Sequence, residues 1–380
     1  MNPILLVCLA AQFFSLMVEA GEYSVYFGTY TGMKSRGIYV SKFDSATGKL
    51  TAPELAAEAR NPSFLALHPD GKFLYSCAEI GESQGKPGGL VEAFAIDAAS
   101  GRLTALNRQN SAGTAPCHLS VDATGRCLFT ANYGSGTIAS FPIQADGSLG
   151  EMASAIQHRG TVALPQRQGG PHAHFISPSP DNRFVLACDL GLDQVLVYRL
   201  DEKTAQLTPN DPPFAKVPPG AGPRHFAFSR DGKWVFVINE INLTVTTFRY
   251  DASRGTLTPA QTASTVPGDY AVTGKDSCAE IAVHPNGKFV YGCNRGHDSI
   301  AVFSLARGSG KLTLLENQPT QGKTPRHFAL DPTGGWLLAE NQNSDSIVVF
   351  AVDPATGKLQ PTGQTLALGS PVCAVFLPVK

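Results

Sequence analysis

Charge is scarce in this chain. Lys and Arg number 30 against 31 Asp and Glu, so charged residues make up 16% of the 380 residues and the formal net charge is −1. A protein that grips nucleic acid through a basic surface needs a surplus of cations, and there is none. Charge blocks and low-complexity runs are also missing, and the apolar residues, 43% of the chain, are spread from end to end, which argues against disorder. Cysteine occurs eight times, but never as a CxxC pair or in regular spacing with histidine. Neither a disulfide framework nor a zinc site is expected. The one long hydrophobic run is Ile4 to Val18, which is short for a membrane span. Val18-Glu19-Ala20 behind it places aliphatic and small residues where a signal peptidase reads them, so residues 1–20 read as a signal peptide and residues 21–380 as a single exported domain.

What is abundant is glycine, at 38 residues, and proline, at 27, too many turn formers for a mainly helical fold. They fall in repeats. A motif typified by Asp353-Pro354-Ala355-Thr356-Gly357-Lys358-Leu359 occurs seven times, with its leucine at 50, 103, 149, 207, 257, 312 and 359. The period is about 51 residues, the length of a four-stranded propeller blade. A second motif, the hairpin turn His68-Pro69-Asp70-Gly71-Lys72, recurs at 122–126, 179–183, 229–233, 284–288 and 331–335 between short apolar stretches. Its seventh copy is absent. Tyr23 to Phe27 matches the strand after that turn and Pro371 to Leu377 the strand before it, which predicts an all-β, seven-bladed propeller closed by pairing of the two termini.

In such a ring the first strand of each blade lines the channel and the hairpin returns the second strand beside it. Counting from Gly232 sets Arg224 opposite Glu240, at the end of the blade away from the turn. Arg295 then matches Glu240 one blade on, and Arg326 matches Arg224. Positions equivalent to Glu240 hold Glu79, Tyr133, Leu190, Arg295 and Gln342, while the strand interiors stay apolar. Variation at one rim of a repeated framework is how a symmetric ring makes an asymmetric site. The adjacent positions hold Asn132, Asp189, Asn239, Asn294 and Asn341, and Gly169 to His174 adds His172 and His174 on one face. Plain structural readings stand beside these: a rim salt bridge for Arg224 and Glu240, inter-blade hydrogen bonding for His225 and His327, and turn roles for His68 and His284.

The segments Gly220-Ala221-Gly222-Pro223-Arg224-His225-Phe226, Val237-Ile238-Asn239-Glu240, Cys293-Asn294-Arg295 and Thr324-Pro325-Arg326-His327 carry a resemblance. Together they make residues 23–378 similar to the seven-bladed propeller lactonases, a family that includes bacterial 6-phosphogluconolactonase and fungal carboxy-cis,cis-muconate cyclase. The resemblance implies an active site of His172, Arg224, Glu240 and Arg295. Lactone hydrolysis requires a base for water, donors for the oxyanion and a proton for the leaving oxygen. His172 and Glu240 fit the two proton-transfer roles, in an order the sequence leaves open, and Arg224 and Arg295 fit the anion clamps. His174, Asn239, Asn294 and Arg326 are the expected substrate contacts. No GxSxG elbow supports a serine nucleophile. The expected protein is a monomer without cofactor that hydrolyses a sugar-derived lactone, 6-phosphogluconolactone being the first to test. Two alternatives stay open: a non-catalytic binding platform, and a lactonase using Ca²⁺ held by Asn132, Asp189, Asn239, Glu240 and Asn294.

Overall fold

The computed structural model describes residues 20–379 apart from Gln84, so the signal-peptide reading lies, except for Ala20, outside the described residues. Seven antiparallel sheets succeed one another around a ring. Blade 2 runs from Leu65 to Asn110, blade 3 from Pro116 to Gln157, blade 4 from Ala173 to Lys216, blade 5 from Pro223 to Ser264, blade 6 from Ser277 to Pro319 and blade 7 from Pro325 to Ala367, each with four strands in its main sheet. Blade 1 joins the chain ends: Pro371–Pro378 is its inner strand and Glu22–Thr29 the next, paired from Tyr23↔Pro378 to Phe27↔Ala374. The closure expected from the missing turn is therefore formed, and it leaves no open edge between first and last blades.

Both repeated motifs owe their shape to one left-handed residue. In the hairpin turn Gly71, Gly125, Gly232, Gly287 and Gly334 take φ of 66–79°, and in the copy lacking glycine Asn182 takes 60°. The glycine of the other motif does a second job. A Cβ on Gly48, Gly147, Gly255, Gly310 or Gly357 would lie within 2.6 Å of a ring of the neighbouring blade: Trp336, Phe73, Phe184, Trp234 and Phe289 in turn. In these five copies the period-51 glycine is thus where a blade seats an aromatic side chain of the one before. Apolar strand residues fill the rest of the space between blades; Phe184, Leu186, Val195, Phe226, Val235 and Val237 are all under 5% exposed between blades 4 and 5. Burying each such side chain contributes about 1.5–3 kcal/mol.

Register needs one correction. Counting from Gly232 pairs Arg224 with Glu240, but the strands pair Phe228↔Val235 through His225↔Ile238 and then skip to Pro223↔Asn239. Arg224 is the extra residue of a β-bulge. The same irregularity sets Cys117, His174 and Arg326 apart in blades 3, 4 and 7. Blade 4 keeps the common register, with Ala173 opposite Asp189. A bulge re-aims side chains, so two consecutive residues can face the same way. Arg224 and His225 do so, with Nη1 and Nε2 3.2 Å apart.

Candidate active site

Arg224 enters the channel from its bulge and is 2% exposed. Its Nε–H donates to Glu240 Oε2 at 3.0 Å. Glu240 follows the second strand of blade 5, its N–H bonded to the Gly222 carbonyl at 2.7 Å, so the pair closes the same end of the blade. Arg295 of blade 6 lies 2.8 Å from the same Oε2, and Arg167 lies 3.3 Å from Oε1. Burial pushes the Glu240 carboxyl upward, but Arg295, Arg224, Arg326 and Arg167 outweigh it and hold the group at about 2. Burial, with Arg295 and Arg326 nearby, brings Arg224 down to about 10. The carboxylate is a fixed counter-ion to three guanidinium groups.

His172 precedes the inner strand of blade 4. Its Nδ1 lies 2.7 Å from the Tyr133 carbonyl oxygen, which can only accept, so Nδ1 carries the proton and Nε2 presents its lone pair. The imidazole stacks on the Tyr133 ring at 4.5 Å and 17°. The Tyr133 hydroxyl in turn pairs with Arg167, which bonds Glu240, so His172 borders the same mouth as Arg224 and Arg295. His174 is 4% exposed, edge-on to Tyr133 and His225, with Nδ1 unpartnered. Burial first, then Arg224, pushes its imidazole well below the ordinary value. Arg326 stands over the Tyr30 ring at 5.4 Å and 4.0 Å from Glu79, which accepts from the Tyr30 hydroxyl at 2.8 Å.

The expected substrate contacts at Asn239 and Asn294 are not formed at this mouth. Both are fully buried: Asn239 donates to Thr244 and Thr246, and Asn294 to the Thr265 carbonyl and Ser299. Strand alternation is the reason, since a residue next to Glu240 or Arg295 points the other way. The oxygen ring considered for Ca²⁺ fails for the same reason. Asn132 donates to the Ser111 carbonyl, Asp189 accepts from His158, and Glu240 is taken by arginines. Among the described residues no group of three or more His, Cys, Asp or Glu is arranged to hold a metal, and all seven cysteines there are buried and free.

Arg167, Tyr30 and Glu280 were not anticipated from the sequence. Arg167 lies on the short helix Pro165–Gln168, in the connection 158–172, which is longer than its counterpart 217–222. That extra length was the available signal. Buried Gln168 anchors the helix by donating to the Leu190 carbonyl and to Asp193. Glu280 links blades beneath the arginines, accepting from His225 at 3.0 Å and lying 3.4 Å from His327, which also reaches Glu340 at 2.9 Å. The inter-blade reading of His225 and His327 matches these bonds. His68 and His284 likewise reach the Gly125 and Gly334 carbonyls of the next blade.

Geometry of this kind, a closed seven-bladed ring with an arginine-rich mouth, defines a class. The family described as "Lactonase, 7-bladed beta-propeller" matches residues 24–376. A 6-phosphogluconolactonase of Bacillus subtilis (strain 168) is 40% identical over 310 residues, covering 82% of this chain and 85% of that protein. A 6-phosphogluconolactonase of Formosa agariphila is 34% identical over 315 residues, covering 81% and 86%. The solved structure of a periplasmic gluconolactonase of Pseudomonas aeruginosa superposes with a TM-score of 0.88 at 34% identity, over 95% of this chain and 100% of that one. The chain belongs to the seven-bladed β-propeller lactonase family. It is accordingly an enzyme of the carboxylic-ester hydrolase class, and the binding-platform reading is set aside.

Proposed function

We propose that the protein hydrolyses the lactone of a sugar acid, with His172 as the proton-transfer group. The carrying observation is the tautomer: Nδ1 is bonded to the Tyr133 carbonyl and Nε2 is left open. Glu240, held at about 2 with both oxygens bound by arginines, is too weak a base and has no proton to give at neutral pH. His172 Nε2 takes a proton from water, and the hydroxide adds to the lactone carbonyl. Arg224 and Arg295 stabilise the oxyanion. The C–O bond to the ring oxygen then breaks, the imidazolium returns its proton to that oxygen, and the carboxylic acid so formed releases its own proton to solvent and leaves as the open hydroxy-carboxylate.

Four arginines, Arg167, Arg224, Arg295 and Arg326, meet the two carboxylates Glu79 and Glu240 at this mouth. The surplus of positive charge favours an anionic substrate, and the names of the Bacillus and Formosa relatives support 6-phosphogluconolactone as the first choice. The apolar run at residues 4–18 favours export, and the periplasmic Pseudomonas relative, named a gluconolactonase, supports an unphosphorylated lactone as the second reading. The site is built from one chain, which suits a monomer. Kinetics on 6-phosphogluconolactone and gluconolactone, with the wild type and His172→Ala, test the proposal. Phosphate preference with a dead variant supports the first reading and equal rates the second; a fully active variant removes His172 from the chemistry.

A further inference from the structure

In three blades a repeated bond clasps the end of the second strand to the blade before, and blade 4 puts an ionisable pair in its place. In blades 3, 6 and 7 an asparagine ends the second strand, and its side-chain amide donates to the carbonyl of the Ser or Thr that follows the outer strand of the preceding blade. These pairs are Asn132 with Ser111 at 2.8 Å, Asn294 with Thr265 at 2.9 Å and Asn341 with Thr320 at 3.2 Å. The equivalent residues of blade 4 are Asp189 and His158. Both are fully buried, with Nδ1 of the imidazole 2.7 Å from Oδ2 of the carboxylate. Two neutral residues have been exchanged together for an ionisable pair, in the blade that carries His172.

The exchange has a local consequence. Asp189 Oδ1 accepts three backbone N–H groups, from His172 at 2.8 Å, Gly191 at 3.0 Å and Leu192 at 3.1 Å. An asparagine could not receive the His158 proton at Oδ2 while keeping those three bonds at Oδ1. The residues equivalent to His172 in blades 3, 5 and 7, Ala115, Gly222 and Thr324, are left-handed with φ of 51°, 68° and 59°, whereas His172, like Ser277 of blade 6, is not. His158 Nε2 is buried without a partner, which favours the neutral ring with its one proton on Nδ1. The carboxylate therefore keeps its charge one peptide group from His172.

We infer that His158 and Asp189 are positioning residues for His172: the Asp189 carboxylate, fixed by His158, holds the His172 N–H so that its ring can lie on Tyr133 with Nε2 toward the substrate. The inference rests on the proposed role of His172. The groups facing His172 are the Tyr133 ring and carbonyl and the Asp189 carboxylate at its N–H, with Arg167 next, bonded to the Tyr133 hydroxyl.

Two variants test this on the full chain. Asp189→Asn changes the carboxylate alone. The double variant His158→Thr with Asp189→Asn restores the pair used by blades 6 and 7, a solution the fold already accepts. Each is expected to lower kcat at least about tenfold with KM within about threefold. The ¹⁵N NMR spectrum of the His172 imidazole should also lose its single Nδ1–H tautomer, a change read without turnover. A folded variant with wild-type kcat and an unchanged His172 spectrum overturns the inference. If the double variant fails to fold, Asp189→Asn decides; if neither folds, the pair is a structural clasp and the inference is lost. His172→Ala separates the two levels: full activity there defeats the proposed chemistry, whereas an inactive His172→Ala beside unaltered Asp189 variants defeats only the positioning role.

Discussion

The Nδ1 of His172 lies 2.7 Å from the carbonyl oxygen of Tyr133. That bond decides which nitrogen can act on water, because a carbonyl accepts and never donates. His172→Ala should lower kcat by at least about 10²-fold, the loss expected for a general base, with little change in thermal stability. Steady-state kinetics beside a melting curve check it, and a kcat within a few-fold of wild type would assign the base elsewhere.

Glu240→Gln should behave differently. The substitution removes the counter-ion of Arg224 and Arg295, both of which bond Oε2, and leaves buried cations uncompensated. Breaking a buried pair costs about 3–5 kcal/mol. A lower melting temperature is therefore expected together with reduced kcat/KM. A Glu240→Gln protein of unchanged melting temperature whose kcat falls by about 10²-fold or more would make the carboxylate the base.

Arg167 is the most accessible cation of the mouth, with its side chain 45% exposed. Arg167→Ala should raise KM for a phosphorylated lactone by about tenfold or more and for the neutral lactone by less, since a charge-assisted bond to the anion is lost only in the first case. An equal change for both substrates would mean that Arg167 serves Glu240 and Tyr133 rather than the ligand.

Stability should fall on acidification in two windows. Burial, reinforced by Arg224, brings His225 down to about 4 against 6.5 for the free side chain, although Glu280 opposes the change. The folded protein thus binds this proton less readily than the unfolded chain, so the stabilisation is complete above pH 6.5 and is lost as pH falls through 4. His118 and His174, also pushed well below the ordinary value by burial, act in the same direction. His327, raised by Glu340 and Glu280 against its burial, acts in the opposite one. Glu240 and Glu280, both held at about 2 against 4.5, add a second loss from pH 4.5 down through 2. Melting temperature measured from pH 7 to 3 checks the sign, and His225→Gln should flatten the upper window.

Dialysis against EDTA should leave hydrolysis unchanged. Of the groups considered for Ca²⁺, the Glu240 and Asp189 carboxylates are already bonded to arginines, to His158 and to backbone N–H groups, and among the described residues no group of three or more His, Cys, Asp or Glu is arranged to hold a metal. Activity lost and then restored by Ca²⁺ would contradict this.

Much of the protein could be read along the chain because its information is periodic. Each turn glycine is required by a left-handed backbone, and each apolar strand by burial between blades, so seven copies announced a ring whose missing turn located the closure. Arg224, Glu240 and Arg295 could be set at one end by counting, although the count misplaced Arg224 by a bulge. The direction of a side chain was less legible. Asn239 and Asn294 lie one residue from the mouth, but Asn239 faces Thr244 of its own blade and Asn294 the Thr265 carbonyl of the blade before, and Arg167 has no repeat mate to reveal it.

Sequence alone determined the number of blades, the joining of the termini and the candidates for the rim, since these follow from local backbone preference and the period of apolar burial. Only the tertiary structure decided what surrounds His172 and Glu240. Their partners are a carbonyl of another blade and three guanidinium groups from separate segments, and electrostatic and hydrogen-bonding effects act across space, where distance along the chain carries no record of them.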